Sequence, residues 1–376
     1  MRIVLVTHFY PAHGGGVEKV AGQLAMRMAA LGHEVHWFAS DTDEPPALPG
    51  VRFEPMRSFN GVERATGFPY PLWGAGSLAR LARAVRQADA VHVHDCIYAS
   101  SFFAAGLARR HGKPLAVTQH IGLVPLPPLL RPVLGAANRL GARWVLKRAA
   151  GVAFISPAVR RYFETLTGPR PGYHDVANGV DDQVFHPVDG PPMAQRAALG
   201  FDPARPLMLF VGRFVAKKRL PLVREMALTR PDWQWCVIGQ GPERPQAWGL
   251  PNLRVLPSMA QPELVAFYGA ADLLVMPSEG EGFPLVVQEA MACGLPACIT
   301  ADVAAGSAMP GALWIELPEV RGETALRGVA AIATWLALPE AQRQAQRAAC
   351  ASYAASTWRW DVAAQAHLRW LDRSAT

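Results

Sequence analysis

The sequence contains little cysteine and no long apolar run. Among 376 residues there are five cysteines, scattered along the chain and mostly with apolar neighbours. An odd, scattered set argues against a disulfide framework and predicts buried free thiols in a reducing compartment. No stretch approaches the roughly 20 uninterrupted apolar residues that span a bilayer, and the apolar run at the N-terminus is too short for a signal peptide. We therefore expect a cytoplasmic protein.

Acidic residues are absent between Asp95 and Glu164. That stretch carries ten basic residues, whereas the whole chain has a formal net charge of +7, so the remainder is slightly acidic (7 − 10 = −3). Basic residues alternate there with apolar ones, which suits an anionic membrane surface or a lipid-linked acceptor. A core helix with a solvated basic face is the alternative. Nucleic acid is not expected, because it would bring several aromatic residues interleaved with the basic ones, and Trp144 is the only aromatic residue between Arg131 and Ala150. The ten residues are Arg109, Arg110, Lys113, Arg131, Arg139, Arg143, Lys147, Arg148, Arg160 and Arg161.

Short apolar runs alternate with helix-prone stretches, and the pattern starts twice. Such alternation predicts parallel, doubly wound α/β domains. Residues 187–206 are proline-rich and polar and are interpreted as the linker between two such domains. The runs that predict strands are Arg2–Thr7, Glu34–Ala39, Ala90–His94, Leu115–Thr118, Val152–Ile155, Leu207–Val211, Trp235–Ile238 and Leu273–Met276.

Two carboxylates, Glu281 and Glu289, lie eight residues apart after the last of these strands. Glu289 opens an apolar helical stretch, so the loop before it falls at the carboxyl edge of a parallel sheet, where open α/β folds bind ligands. Free N–H groups at a helix start suit a polyhydroxylated or anionic ligand. The carboxylates can accept hydrogen bonds from neighbouring hydroxyls. This arrangement predicts a sugar-nucleotide site.

Cations follow the strand that ends at Val211. Gly212 permits a tight turn. Arg213 comes directly after it, and Lys217, Lys218 and Arg219 follow a few residues later. Fixed cations at a strand end can hold a diphosphate and stabilise the charge that develops as it leaves. A solvated basic loop is the alternative interpretation.

Other short motifs carry weaker signals. The runs that begin at Gly14 and Gly239 allow close backbone approach to a ligand, but each lacks the third glycine of a dinucleotide fingerprint. His120 ends a predicted strand and could donate a hydrogen bond to a sugar hydroxyl or accept a proton. Asp41 and Asp43 resemble a metal-binding Asp-x-Asp, but they lie in a polar turn and are interpreted as solvated loop. No metal or other cofactor is expected.

In order and spacing, these motifs resemble those of the retaining glycosyltransferases of family 4. The residues that carry the resemblance are Gly15, Gly16, Glu18, Asn178–Asp181, Phe185, Pro187, Arg213, Lys218, Ala271, Asp272, Pro277, Ser278, Glu281 and Glu289–Pro296. It extends from Arg2 to about Thr300, and Trp360 resembles the aromatic residue that begins the closing helix. The resemblance implies the GT-B fold: two Rossmann-like domains that face each other across a cleft, with a C-terminal helix returning to the N-terminal domain.

The resemblance also implies roles for individual residues. Glu281 would contact the donor sugar and Glu289 the ribose hydroxyls, while Arg213 and Lys218 would hold the diphosphate. His120 would lie beside the transferred sugar. We further expect donor contacts from Gly15, Gly16, Gly282, Phe283, Pro284 and Leu285, and acceptor contacts from His94, Asp95 and Asn178.

The sequence departs from the family pattern in three places. Arg219 stands where the family usually has a glycine. Pro284 replaces a frequent glycine and removes one N–H donor. The run Ala301–Gly306 differs from the usual glycine-rich and acidic pattern.

The sequence therefore predicts a metal-independent, retaining hexosyltransferase that moves a sugar from a UDP- or GDP-sugar to an acceptor hydroxyl in bacterial cell-surface polysaccharide, lipopolysaccharide or glycolipid synthesis. The acceptor is expected to be lipid-linked or displayed at the inner face of the plasma membrane. A sugar-nucleotide epimerase of the same fold and a non-catalytic nucleotide-sugar or lipid-binding protein are the alternatives. The predicted domains are 1–188, which binds the acceptor, 189–355, which binds the donor, and 356–376, the closing helix.

Overall fold

A computed structural model of the chain describes residues 1–14, 16–66, 70–120, 131–279, 284–306, 309–319 and 322–372, apart from the side chains of residues 65, 66, 131–138 and 158. It divides into unit 1, Met1–Asn178 with Trp360–Thr376, and unit 2, Gly179–Arg359. The sequence prediction placed the first boundary after residue 188 and the start of the closing segment at residue 356.

Unit 1 is a parallel α/β domain. Its main sheet has the strand order β3-β2-β1-β6-β7-β8-β9, and a small antiparallel pair, β4 and β5, lies apart from it. Its elements before the division are β1 (Arg2–Val6), α1 (Gly16–Ala30), β2 (Glu34–Ser40), β3 (Val51–Met56), β4 (Ser58–Phe59), α2 (Gly61–Thr66), β5 (Leu72–Trp73), α3 (Ala75–Gln87), β6 (Ala90–His94), α4 (Ala99–Arg110), β7 (Leu115–Gln119), α5 (Arg131–Leu146), β8 (Gly151–Phe154), α6 (Pro157–Thr167) and β9 (Tyr173–Asp175).

Unit 2 repeats this architecture around a second parallel sheet of order β12-β11-β10-β13-β14-β15. Its elements are α7 (Pro192–Ala198), β10 (Leu207–Val211), α8 (Leu220–Thr229), β11 (Gln234–Ile238), β12 (Leu253–Leu256), α9 (Gln261–Ala270), β13 (Leu273–Met276), α10 (Leu285–Ala292), β14 (Ala297–Ile299), α11 (Ala301–Ala305), β15 (Trp314–Glu316), α12 (Thr324–Leu336) and α13 (Glu340–Thr357). The last helix, α14 (Trp360–Leu371), belongs to unit 1, where it packs against α1.

The central strands explain where ligands can bind. β1 pairs with both β2 and β6, and β10 pairs with both β11 and β13. In each sheet the chain order therefore reverses at a central strand, and the crevice at the carboxyl end of such a strand is the usual ligand site. Strands β10 and β13 are apolar and buried on both faces, and their bounds match the prediction.

The structure contains several strands that the sequence analysis did not predict, among them β3, β9, β12, β14 and β15, and it changes the interpretation of one segment. Strand β3 was not predicted, because Arg52, Glu54 and Pro55 interrupt its apolar pattern; it lies at the edge of the sheet, where proline and charge are tolerated. The supposed linker of residues 187–206 contains α7, whose Pro192 occupies the first helical turn, a position that proline favours.

Helix α7 is fixed to unit 2 by a buried ion pair. The Arg196 guanidinium lies 2.5 Å from the Asp272 carboxylate and donates to the Ala270 carbonyl at 2.8 Å. Asp272 also accepts from the Leu207 amide, the first residue of β10, at 2.8 Å. A buried charge needs such partners, so this segment belongs to the body of unit 2.

The five cysteines are all buried and unpaired, which confirms the predicted free thiols. Burial raises the pKa of Cys236, Cys293, Cys298 and Cys350 to about 12, so these thiols stay protonated and unreactive at neutral pH. Within the described residues, no helix is long and apolar enough to cross a bilayer.

Candidate active site

The carboxyl edge of the second sheet brings two strand-end loops into direct contact. Gly212 donates its N–H to the Ile238 carbonyl at 3.0 Å. A Cβ added to Gly239, which has φ 153°, would lie 1.9 Å from the Gly212 carbonyl oxygen. Glycine is therefore needed at positions 239 and 241 because the backbone of residues 212–214 packs closely against them. This packing explains the motif without any nucleotide contact.

The two predicted phosphate-binding cations both lie in the segment that follows β10. Arg213 is exposed, whereas Lys218 is 9% exposed and ends a short 3-10 helix, Ala216–Lys218. A Cβ added to Gly212 would lie 3.7 Å from Lys218 Cε. The lysine stem therefore runs back past the glycine at the strand end. One exposed and one largely desolvated cation at a strand end form an arrangement that can hold a diphosphate.

Glu289 lies on α10, the next helix after the neighbouring strand β13. The helix begins at Leu285, so Glu289 does not open it as the sequence interpretation had it. Its carboxylate is 7% exposed and accepts hydrogen bonds from Gln261 Nε2 at 2.9 Å and Tyr268 Oη at 3.1 Å. Burial, followed by the neighbouring carboxylate, raises the pKa of Tyr268, so its hydroxyl remains a donor. Because each carboxylate oxygen can accept more than one hydrogen bond, Glu289 can also accept from a ligand hydroxyl.

The loop before α10 is only partly described. Glu281, Gly282 and Phe283, like Gly15 of the first unit, lie outside the described residues. Pro284 caps α10 at its N-terminus and is buried, and Leu285 is the first helical residue. As expected for proline, residue 284 offers its carbonyl, which accepts from the Val287 amide at 3.0 Å. The segment after Thr300, which differs from the family pattern, forms α11. The Thr300 hydroxyl caps this helix by accepting a hydrogen bond from the Val303 amide at 3.4 Å.

In unit 1, His120 directly follows β7 and contacts His94, the histidine that ends β6. His94 Nδ1 lies 2.9 Å from His120 Nε2, and both rings are buried. Burial, followed by the charges of His8 and His367, lowers the pKa of His120 to about 3. Burial and neighbouring histidines also lower the pKa of His94 well below its ordinary value. Both rings are therefore neutral at physiological pH, which suits hydrogen bonding rather than proton donation.

The contacts of His94 also indicate the tautomer of His120. His94 Nε2 is buried and has no hydrogen-bond partner among the described residues. A buried N–H without an acceptor is rarer and less favourable than an unused lone pair. We therefore assign the proton of His94 to Nδ1, from which it is donated to His120 Nε2. His120 then carries its own proton on Nδ1 and is a hydrogen-bond donor through that atom.

Asp95 holds the ends of the two strands together. It has φ 58° and is fully buried, and its Oδ1 accepts from the His120 amide at 2.7 Å and from Gln119 Nε2 at 2.9 Å. The predicted acceptor contacts His94 and Asp95 have no exposed surface, and Asn178 is 6% exposed. Contact of an acceptor with His94 or Asp95 would require movement of the groups that cover them.

A second histidine in unit 1 escaped the sequence analysis. His8 follows β1, lies 3.0 Å from a Glu18 oxygen and stacks on Tyr98 at 3.8 Å between ring centroids. The pair ties the start of α1, which begins at Gly16, to the carboxyl edge of the sheet. The position of His8 two residues after a buried strand could have marked it as a candidate in the sequence. Its pairing with Glu18, ten residues away, could be recognised only from the structure.

The described residues contain no group of three or more histidine, cysteine or acidic side chains placed to hold a metal ion. The carboxylates of Asp41 and Asp43, the predicted solvated Asp-x-Asp, contact other residues of unit 1. Asp41 accepts from the Ser58 amide at 3.1 Å, and Asp43 lies 2.9 Å from His13 Nδ1.

Comparison with known proteins assigns the family. Residues 14–184 match the description Glycosyltransferase Family 4, residues 193–308 match Glycosyl transferases group 1, and residues 252–366 match Family 4 Glycosyltransferase in conflict systems. A D-inositol 3-phosphate glycosyltransferase from Mycobacterium sp. (strain KMS) is 30% identical over 343 residues, which cover 80% of this chain and 74% of that protein. The protein of that name from Frankia alni is 30% identical over 328 residues, covering 75% and 76%.

Solved structures share the fold. Sucrose-phosphate synthase from Thermosynechococcus elongatus superposes with a TM-score of 0.75 at 19% identity, covering 97% of both chains. Anabaena Alr3699/HepE in complex with UDP also gives 0.75, at 16% identity and 97% coverage of both. These similarities confirm the predicted GT-B class of two Rossmann-like, parallel-sheet domains. Together with the matched relatives, they show that the chain is a member of glycosyltransferase family 4.

Proposed function

We propose that this protein is a retaining glycosyltransferase that moves a hexose from a nucleotide diphosphate sugar, a UDP- or GDP-sugar, to an acceptor hydroxyl. The observation that carries the proposal is the edge of the second sheet. There, Arg213 and Lys218 follow β10, and the hydrogen-bonded Glu289 follows the adjacent strand β13. Cations for a diphosphate and a carboxylate for ribose hydroxyls are the two chemistries that such a donor needs. The Anabaena protein, whose structure is a complex with UDP, agrees with this donor class.

In the proposed reaction, Arg213 and Lys218 stabilise the negative charge that develops on the leaving diphosphate. The acceptor oxygen forms its bond to the anomeric carbon as the bond to the phosphate oxygen breaks. The leaving phosphate takes the proton of the acceptor hydroxyl on the same face of the sugar, so the configuration is retained. His120, neutral and protonated on Nδ1, donates a hydrogen bond to the sugar. Glu281 contacts the donor sugar, as the family resemblance implies. No cofactor takes part, because fixed cations supply the charge that a metal would otherwise provide.

A thermal-shift screen tests the donor class. Binding to the folded state raises its stability, so UDP or GDP should raise the melting temperature, and the matching sugar nucleotide should raise it at least as far. If no nucleoside diphosphate or sugar nucleotide raises the melting temperature at millimolar concentration, the proposal fails.

The contact between Tyr268 and Glu289 gives a finer test. Tyr268→Phe removes one hydrogen bond to the carboxylate, and hydrogen bonds of this kind contribute roughly 0.5–1.5 kcal/mol. We expect the dissociation constant for the nucleoside diphosphate to rise about threefold to tenfold, as measured by titration calorimetry. Tyr353→Phe, on α13 of the same unit, is the matched control and should bind as the wild type does. Equal affinities in all three proteins would contradict the ribose role of Glu289.

A membrane-displayed or lipid-linked acceptor is the second part of the proposal. Arg139, Arg143 and Lys147 recur at four-residue spacing and are exposed, so along α5 and just beyond it they point to one side. Leu140, between them, is 70% exposed, and Phe103 on the adjoining α4 is 49% exposed. Exposed apolar side chains near exposed cations suit the surface of an anionic bilayer. We place the protein at the inner face of the plasma membrane, in cell-surface polysaccharide, lipopolysaccharide or glycolipid synthesis.

Vesicle flotation tests the membrane surface. Neutralising Arg139, Arg143, Lys147 and Arg148 should abolish flotation with phosphatidylglycerol vesicles, since each basic residue near an anionic surface contributes about 1 kcal/mol. The control removes four exposed charges elsewhere, at Arg86, Arg224, Arg244 and Arg327, and should float nearly as well as the wild type. Undiminished flotation of the first variant would rule out membrane binding by this surface.

D-inositol 3-phosphate, which the relatives' names specify, is the soluble acceptor to assay beside lipid-linked ones.

A further inference from the structure

Arg219, which replaces the usual family glycine, keeps the backbone conformation that glycine favours. Its φ is 52° and its ψ is 41°, in the left-handed region. A non-glycine residue is uncommon there. It lies between the short helix that contains Lys218 and the start of α8. An arginine at such a position costs conformational energy that glycine would not, so its side chain should have a compensating role.

The Arg219 side chain joins three loops at the edge of the second sheet. Its Nη1 lies 3.0 Å from a Glu279 oxygen and 2.5 Å from a Glu319 oxygen. Glu279 follows β13 and Glu319 follows β15, while Arg219 itself follows β10. The loops are also joined through the backbone, because the Glu279 amide donates to the Lys217 carbonyl at 2.9 Å. One guanidinium thus serves two carboxylates.

The surroundings give this arrangement an electrostatic consequence. Arg219 directly follows Lys218, and Glu279 precedes Glu281 by two residues. Glu279 therefore belongs to a loop that we propose contacts the anionic donor, and Glu319 is joined to that loop by the shared guanidinium. Without the guanidinium, two negative charges would remain beside the cations that bind that ligand. At separations near a Debye length, each would repel the diphosphate by a fraction of a kcal/mol per ligand charge.

We propose that Arg219 is a positioning residue of the donor site that neutralises Glu279 and Glu319 and thereby permits tight binding of a nucleoside diphosphate. This inference rests on the proposed function, because it concerns the same ligand. The residue acts through the two carboxylates and need not touch the donor. A glycine in the same place would leave both carboxylates without this counter-charge, so the arginine and the two glutamates form one functional set in this chain.

Titration with UDP and GDP on three proteins tests the inference. Arg219→Gly should fold normally, since glycine adopts a φ of 52° without strain. It should weaken nucleoside diphosphate binding about tenfold at low salt, and by less at high salt, where exposed charges are screened. The triple variant Arg219→Gly/Glu279→Gln/Glu319→Gln should return to within about twofold of the wild type. The donor KM should follow the same order, with kcat nearly unchanged.

Two results would overturn this inference. If Arg219→Gly binds the nucleotide as the wild type does, the guanidinium has no part in donor binding. If the triple variant remains as weak as Arg219→Gly, the arginine acts as a mechanical link and not by neutralising charge. Failure of the proposed function appears differently: the wild type itself then binds neither nucleotide, and the inference falls with it.

Discussion

Replacement of Arg213 by alanine is expected to lower turnover at least about a hundredfold, with little change in stability. The side chain is exposed at the end of β10, so its removal leaves no buried group without a partner. Lost transition-state contacts to developing charge commonly cost about 10²–10³ in kcat. The measurement is the rate of nucleotide release from the sugar nucleotide that stabilises the protein most, with and without acceptor. Glu281→Ala should lower the rate to a similar extent.

The matched control is Arg224→Ala, which removes an exposed arginine from α8 in the same unit. It should retain nearly full activity, because it lies away from the strand ends. Wild-type rates in both Arg213→Ala and Glu281→Ala would refute the assignment of a donor site at this edge. A similar loss in Arg224→Ala would show that the assay responds to net charge and not to a specific contact.

Mild acid is expected to destabilise unit 1 far more than unit 2. Four buried histidines of unit 1 lie close together: His92, His94, His120 and His367. Burial is the main cause that lowers the pKa of each of them, to about 3 for His120 and about 4 for His367. Unit 2 contains one histidine, His186, and it is exposed.

Proton linkage gives the direction in which the stability of unit 1 changes with pH. Below about pH 6.5, the ordinary histidine pKa, the unfolded chain takes up protons that the folded histidines refuse. Stability is therefore complete above that pH and falls as the pH drops towards the folded pKa values. Each histidine contributes a loss of about 1.4 kcal/mol per pH unit, so the four together could remove up to about 8 kcal/mol between pH 6.5 and pH 5. That is comparable with the whole stability of a typical domain.

Hydrogen exchange at pH 7 and pH 5, corrected for intrinsic rates, measures this effect unit by unit. Amides of β6 and β7 should lose most of their protection at pH 5, while those of β10 and β13 keep theirs. The double variant His92→Gln/His367→Gln should show a shallower pH dependence by about two protons, and His186→Gln should show no change. Equal loss of protection in both units would mean that the histidines are not the cause.

The sequence predicted the buried elements better than the edges, for a physical reason. Strands β10 and β13 are apolar on both faces because helices cover both sides of a parallel sheet, and a continuous apolar run is easy to recognise. Edge strand β3 contains charges and a proline, which its position permits. Helix α7 was mistaken for linker because its prolines lie at the helix start, where they favour a helix.

In the candidate site, too, some features could be predicted from the sequence and others could not. The positions of Arg213, Lys218 and Glu289 near strand ends could be predicted from the sequence, because the strands before them are easy to recognise; their roles remain a prediction. The residues that hydrogen-bond to these side chains could not be predicted, because they come from distant parts of the chain. Gln261 and Tyr268 reach Glu289 from α9, and the contacts that indicate the tautomer of His120 come from β6.

The glycine motifs also needed the fold. Gly239 and Gly241 suggested a weak nucleotide loop, whereas a side chain at either position would collide with the backbone of residues 212–214. Arg219 looked like a departure from the family pattern and turned out to keep the backbone of the missing glycine while joining three loops. In both cases, the backbone conformation explains what residue identity alone left open.

Titration calorimetry with UDP and GDP tests the central claim most directly, because it requires neither the sugar nor the acceptor to be known. We expect the wild type to bind one of these nucleotides at roughly one site per chain, and Arg213→Ala/Lys218→Ala to bind it at least about tenfold more weakly, as the loss of charge-assisted contacts implies. Undiminished binding by that double variant, or no binding of either nucleotide by the wild type, would contradict the claim.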